Sequence, residues 1–180
     1  ISKYNISKLP TIITTDARTN TQFAGTWTQN AGTMESDGRL VVRNANPPFY
    51  DLTTKKTVGL VDGIAITANC SKCLNVSVYF QALESQQAGV VFSNKTVLQD
   101  NDSMALNLIA KYNITKLPVL LLSKDIESYT VVSQLAIVMS NESDYYVLRN
   151  VSPPYSDLQK NKSIMGLVKE VHVENSSCST

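Results

Sequence analysis

A chain of 180 residues, 43% of them apolar, is long enough to bury one large core or two small ones. Its formal net charge of +1 gives no electrostatic footprint for nucleic acid or an anionic membrane surface, and no apolar run, Leu117 to Leu122 included, approaches the length of a membrane span. Charged residues make up only 17%, so the surface is expected to be neutral and polar, rich in Asn, Ser and Thr.

Taken in chain order, Lys3-Tyr4-Asn5-Ile6-Ser7-Lys8-Leu9-Pro10 ends on a Leu-Pro step that opens a predicted strand over Thr11 to Thr15. A helix is expected around Phe23 to Trp27, with Trp27 as a core or interface residue, and a strand over Arg39 to Arg43. Glu35 and Asp37 fall in a turn before Gly38 and carry no assigned chemistry. Asp51 follows Pro47-Pro48, where turn formation explains it, as it does Asp157 after Pro153-Pro154.

The apolar run Gly63 to Ala68 reads as a buried strand, and Leu74, Val78, Ala82 and Leu83 after it recur at helical spacing. Between them stand Cys70 and Cys73, three apart and so neighbours if a helix begins at Cys70; a helix N-terminus there would favour a thiolate on Cys70. The pair reads either as a redox-active dithiol, Cys70 attacking and Cys73 resolving, or as a disulfide clip between strand and helix. A metal site would need a second pair, and no P-loop or dinucleotide loop is present, so neither metal nor cofactor is expected. Downstream come a strand at Gly89 to Phe92, a helix carrying Ala105, Leu108 and Ile109, and a Leu117-Pro118 step opening another apolar strand, where a cis bond suits the turn.

Lys111-Tyr112-Asn113-Ile114-Thr115-Lys116-Leu117-Pro118 repeats residues 3 to 10 at an offset of 111 − 3 = 108. Val42-Arg43-Asn44, Pro47-Pro48, Asp51-Leu52 and Gly59-Leu60-Val61 recur as Leu148-Arg149-Asn150, Pro153-Pro154, Asp157-Leu158 and Gly166-Leu167-Val168 at offsets of 106 or 107. A match of this extent is an internal repeat. Its phase makes residues 1–58 the back half of a unit, 59–160 a whole unit, and 161–180 a linker followed by the first strand of another, with Cys178 near where the cysteine pair would recur.

The order strand, CxxC, helix, strand, helix, X-Pro, strand resembles the thioredoxin-like fold over roughly residues 60 to 158. The resemblance implies an α/β protein with one complete unit and one split between the N-terminal half and the C-terminal strand. It also implies a cis Leu117-Pro118 bond beside Cys70, so that Cys70, Cys73 and Pro118 would form the catalytic group of an exported thiol-disulfide oxidoreductase, Cys70 and Cys73 being its disulfide. Two features depart from the family pattern: no aromatic residue precedes Cys70, and Leu117 stands where Thr or Val is usual.

Asn-x-Ser/Thr sequons at Asn5, Asn69, Asn75, Asn94, Asn101, Asn113, Asn141, Asn150, Asn161 and Asn175 exceed the three or four, roughly, that this composition makes by chance. They point to N-linked glycans and an extracellular or cell-surface location, where a disulfide persists. Sequons flanking Cys70 and Cys73, and the presence of only one intact CxxC, favour a clip over an enzyme. Cys178 has no obvious partner and suggests an intermolecular bond. His172, in the last predicted strand, has no catalytic neighbour. With Lys3-Tyr4-Asn5-Ile6 and Lys111-Tyr112-Asn113-Ile114 before its Pro strands and with its dense sequons, the chain resembles exported thioredoxin-like repeat proteins of archaea. The expected role is structural: a homopolymer, filament or surface array, in which the strand in 164–180 completes the N-terminal half unit in the same chain or a neighbour. The rival expectations are the oxidoreductase and an excerpt of a longer repeat protein.

Overall fold

The computed structural model describes residues 1–15, 25, 32–70 and 72–159. The expected helix around Phe23 to Trp27 and the residues His172, Cys178, Asn161 and Asn175, with the whole of 164–180, lie outside them. The described chain is a mixed α/β structure with several small sheets and three α-helices.

The larger sheet has the order β11-β12-β10-β7-β8, formed by Met139–Asn141, Tyr145–Leu148, Val119–Ser123, Leu60–Thr67 and Val91–Gln99. Its centre is β7, parallel to β8 and antiparallel to β10. β7 is buried on both faces because Val61 and Ala65 alternate with Ile64 and Ile66 along it. On one face Val61, Ala65, Leu120 and Leu122 pack with Phe80 and Leu83 of α1, Ser77–Glu84; on the other Ile64, Ile66, Val119 and Leu121 pack with Ala105 of α2, Ser103–Lys111. Fully burying each of these Val, Leu and Ile side chains contributes about 1.5–3 kcal/mol. Gly63 is required where β7 passes beneath two rings: a Cβ there would lie 2.6 Å from Phe80 Cε1 and 2.9 Å from Phe92 Cε1. Val132 and Leu135 of helix α3, Val132–Leu135, pack against the cluster that holds Phe80 and Leu83.

The N-terminal residues form two smaller sheets. Lys8–Leu9 (β1), Phe49–Asp51 (β5) and Lys56–Val58 (β6) make one; Ile12–Ile13 (β2), Leu40–Val42 (β4) and Gly32–Met34 (β3) make the other. Their registers recur further along. Ile13 pairs with Val41 as Leu121 pairs with Val147, and Thr33 with Val41 as Ser140 with Val147. Lys8 pairs with Asp51 as Lys116 of β9 (Lys116–Leu117) pairs with Asp157 of β13 (Ser156–Asp157). The Leu9-Pro10, Leu117-Pro118, Pro47-Pro48 and Pro153-Pro154 bonds are all cis.

Side chains repeat along with the registers. The buried Tyr4 and Tyr112 donate their hydroxyls to Asp37 Oδ2 at 2.8 Å and Asp144 Oδ2 at 3.1 Å, carboxylates that also receive Lys3 Nζ at 2.7 Å and Lys111 Nζ at 2.6 Å. Arg43 Nη2 reaches the Tyr4 carbonyl at 2.6 Å and Glu35 Oε1 at 2.7 Å. Arg149 reaches the Tyr112 carbonyl through Nη1 and Glu142 Oε1 through Nη2, both at 2.7 Å. Asn5 and Asn113 turn the chain at φ 49° and 48°, a left-handed conformation that Asn tolerates. Glu35 and Asp37, assigned no chemistry from sequence, are thus members of an ionic clamp.

The chain passes from β6 to β7 through Gly59 alone. At φ 89° this residue favours glycine, and a Cβ would stand 2.5 Å from Pro47 Cβ. Among the described residues no helix is long and apolar enough to cross a membrane.

Candidate functional site

Among the described residues, two places have chemistry or geometry beyond ordinary packing: the cysteine loop after β7 and the outer edge of β2.

After Thr67 the Cys70 amide donates to the Ala68 carbonyl at 2.8 Å, and the Cys73 amide donates to the Cys70 carbonyl at 3.2 Å, closing a turn. Cys70 and Cys73 are joined in a disulfide, Cα to Cα 5.3 Å. The loop is not the start of a helix. Helix α1 begins at Ser77, where the Asn75 side chain accepts a hydrogen bond from the Ser77 amide at 3.0 Å and sets the first turn there. The expectation of a thiolate favoured by a helix N-terminus at Cys70 is therefore corrected: the helix starts seven positions after Cys70, with six residues between them.

Cys70 is half-buried against the cluster holding Ile66, Leu117 and Leu121. The Leu74 amide donates to the Pro154 carbonyl at 3.2 Å, tying the loop to the Pro153-Pro154 turn. Pro118 is fully buried, and the chain beside it is engaged: Leu117 pairs with Ser156, and the Thr115 carbonyl accepts from the Leu158 amide at 2.9 Å. Among the described residues no cluster of three or more His, Cys, Asp or Glu could hold a metal. A cleft of about 630 Å³ lined by Ala82, Leu83, Ser85, Gln87, Thr130 and Gln134 contains no titratable side chain, and the cysteines are not among its lining residues.

The edge of β2 differs from its counterpart in the larger sheet. β10 is paired on both sides, by β7 and β12, whereas β2 pairs with β4 and no described strand pairs with its other edge. Leu120 and Leu121 are 4% and 0% exposed; Ile12 and Ile13, in the same positions, are 55% and 38% exposed. Leu117 and Pro118 are buried, while Leu9 is half-buried and Pro10 exposed. The same register and clamp thus surround two strands that differ in whether a neighbour covers them.

Charge in the clamps is fixed by contact. Lys3 beside Asp37, followed by the Tyr4 hydroxyl, holds that carboxyl down at about 2. Lys111 and Tyr112 lower Asp144, Arg43 lowers Glu35, and the Ser140 hydroxyl and Arg149 lower Glu142. Asn5, Asn69, Asn75, Asn94, Asn101, Asn113, Asn141 and Asn150 are all exposed. Asn94 lies within β8, which among the described strands pairs with β7 alone. Comparison with protein-family profiles, curated proteins and solved structures finds no match to this chain.

Proposed function

We propose that the protein is an N-glycosylated structural component of an extracellular or cell-surface filament or array, made of thioredoxin-like units joined head to tail by strand donation. The observation that carries this reading is the β2 edge: two large aliphatic side chains stand in solvent on a strand whose counterpart is buried beneath a neighbour. An exposed apolar edge favours addition of a strand, because unpaired backbone groups and uncovered side chains are satisfied together. The strand order β8-β7-β10-β12, with β7 and β8 parallel, supports the thioredoxin-like assignment of the larger unit. Exposure of all eight described sequon asparagines supports glycosylation. The tail in residues 164–180 supplies the strand.

The test is electron microscopy and sedimentation of the glycosylated protein with and without residues 164–180. Polymers that vanish on truncation, with the larger unit still folded, support the reading; polymers that persist defeat it.

A second reading, thiol-disulfide exchange at Cys70 and Cys73 with Pro118, draws support from the disulfide itself, packed beside Leu117. The paired chain around the buried Pro118 and the tether from Leu74 to Pro154 favour a clip instead. Reduction of insulin by the reduced protein would establish exchange, and resistance of the disulfide to glutathione would establish the clip.

A further inference from the structure

We infer that the strand received by β2 is residues 167–174 of a second copy of this chain, antiparallel, in a register that pairs Thr11 with Val173, Ile12 with His172, Ile13 with Val171 and Thr14 with Glu170. The inference rests on the strand-donation reading and deepens it by naming occupant, direction and register.

The register comes from the larger sheet. There Val119 pairs with Ile66, Leu120 with Ala65, Leu121 with Ile64 and Leu122 with Gly63. The repeat offset of 108 carries Val119–Leu122 onto 11–14, and the offset of 107 that relates Gly59 to Gly166 carries 63–66 onto 170–173. The pairing of Ile13 with Val41 on the other side of β2 matches that of Leu121 with Val147, so β2 already has the orientation this register requires.

The side chains agree with the geometry. In the order Leu167-Val168-Lys169-Glu170-Val171-His172-Val173-Glu174, Val171 and Val173 share one face of a strand, and Glu170, His172 and Glu174 the other. β7 has no such polar face: in the places of Glu170 and His172 stand Gly63, closed in by Phe80 and Phe92, and the fully buried Ala65. A glutamate could not lie beneath those two rings. It fits the sheet of β2, where Ile12, the counterpart of the buried Leu120, is 55% exposed. The two valines then cover Ile13 and Thr11, and the polar face meets water.

Chain direction favours a second copy over the same one. The strand that follows the β5–β6 hairpin is β7, and it enters the sheet of the next unit and does not return to β2. Residues 167–174 hold the same place after β13 that β7 holds after β5. The same connection sends them forward to a new acceptor.

The experiment uses the full-length chain with Cys178→Ser, its Cys70–Cys73 disulfide intact. One preparation carries Ile13→Cys, another Val171→Cys; they are mixed and oxidised with diamide. A covalent dimer joined through positions 13 and 171 is expected, at least ten-fold more abundant than that from Ile13→Cys mixed with His172→Cys, whose side chains point to opposite faces. Preferential linkage to position 172 overturns the register. A chain carrying both Ile13→Cys and Val171→Cys that closes on itself as a monomer when dilute overturns the second copy as occupant. Polymers seen by microscopy without the 13–171 link overturn this inference while leaving strand donation standing, and absence of both removes both.

Discussion

Leu121 and Ile13 occupy the same position of the repeat and pair with equivalent residues, yet one is fully buried and the other 38% exposed. Truncating each to Ala therefore measures what the neighbouring strand contributes. Each change removes three carbons' worth of apolar burial at most, about 2.4 kcal/mol of transfer energy. At Leu121 a cavity term is added, because β7, β10 and β12 hold their places around the void, bringing the loss to about 3.5 kcal/mol. At Ile13 roughly three-fifths of the transfer term applies and an open edge leaves no cavity, so the loss is about 1.5 kcal/mol. With a urea dependence of about 2 kcal/mol per molar, Leu121→Ala lowers the midpoint of its unit by about 1.8 M and Ile13→Ala lowers that of the N-terminal unit by about 0.8 M. The assay is urea unfolding of the monomer fraction, with hydrogen exchange read peptide by peptide to separate the units. If assembly covers β2, as proposed, the cost at Ile13 rises toward that at Leu121. A loss at Ile13 equal to or greater than that at Leu121 in the monomer would refute the reasoning.

Lys3→Gln raises the Asp37 titration midpoint from about 2 toward the ordinary carboxylate range, followed by carboxyl carbon NMR; an unmoved midpoint rules out the Lys3 contact as the main cause. The sign is that of a carboxyl depressed on folding: its stabilisation is present above the unfolded value near 3.8 and is lost as pH falls toward 2, so acid unfolding of wild type between those values is steeper than that of the variant. Replacing both Cys70 and Cys73 by Ser leaves the fold and lowers stability by about 2 kcal/mol, the entropy of a four-residue loop, measured by thermal melting; failure to fold would mean the disulfide does more than clip its own loop. In glycosylated protein, Asn94→Gln uncovers the edge of β8 that no described strand pairs and increases light scattering on standing, whereas Asn101→Gln, outside the strand, does not; equal scattering from the two would remove the edge-shielding role of Asn94.

Much of the fold was legible because the repeat placed the same signals twice. Leu-Pro before an apolar run marked β2 and β10, and the helical spacing of Ala105, Leu108 and Ile109 marked α2. Boundaries were less legible. β8 runs to Gln99, well past the expected Phe92, because its alternating polar residues face water on an edge and so lack the apolar run that marks a buried strand. The start of α1 was misplaced because apolar spacing counts Leu74 and Val78 but is blind to the Asn75 hydrogen bond that sets the first turn. The clamps were hidden because Tyr4 and Asp37 meet across 33 residues. Only the recurrence of Tyr, Asp and Arg together, as Tyr112, Asp144 and Arg149, carried that signal.

Gly59 is the whole of the connection between β6 and β7, packed on Pro47 and with its carbonyl bonded to the Tyr129 hydroxyl at 2.6 Å. A joint one residue long has almost no slack, so tension or torsion applied to one sheet passes into the next. A thread built on that joint would behave as a stiff rod, its bending set by the packing around a single glycine, and it would resist being stretched until a sheet itself came apart.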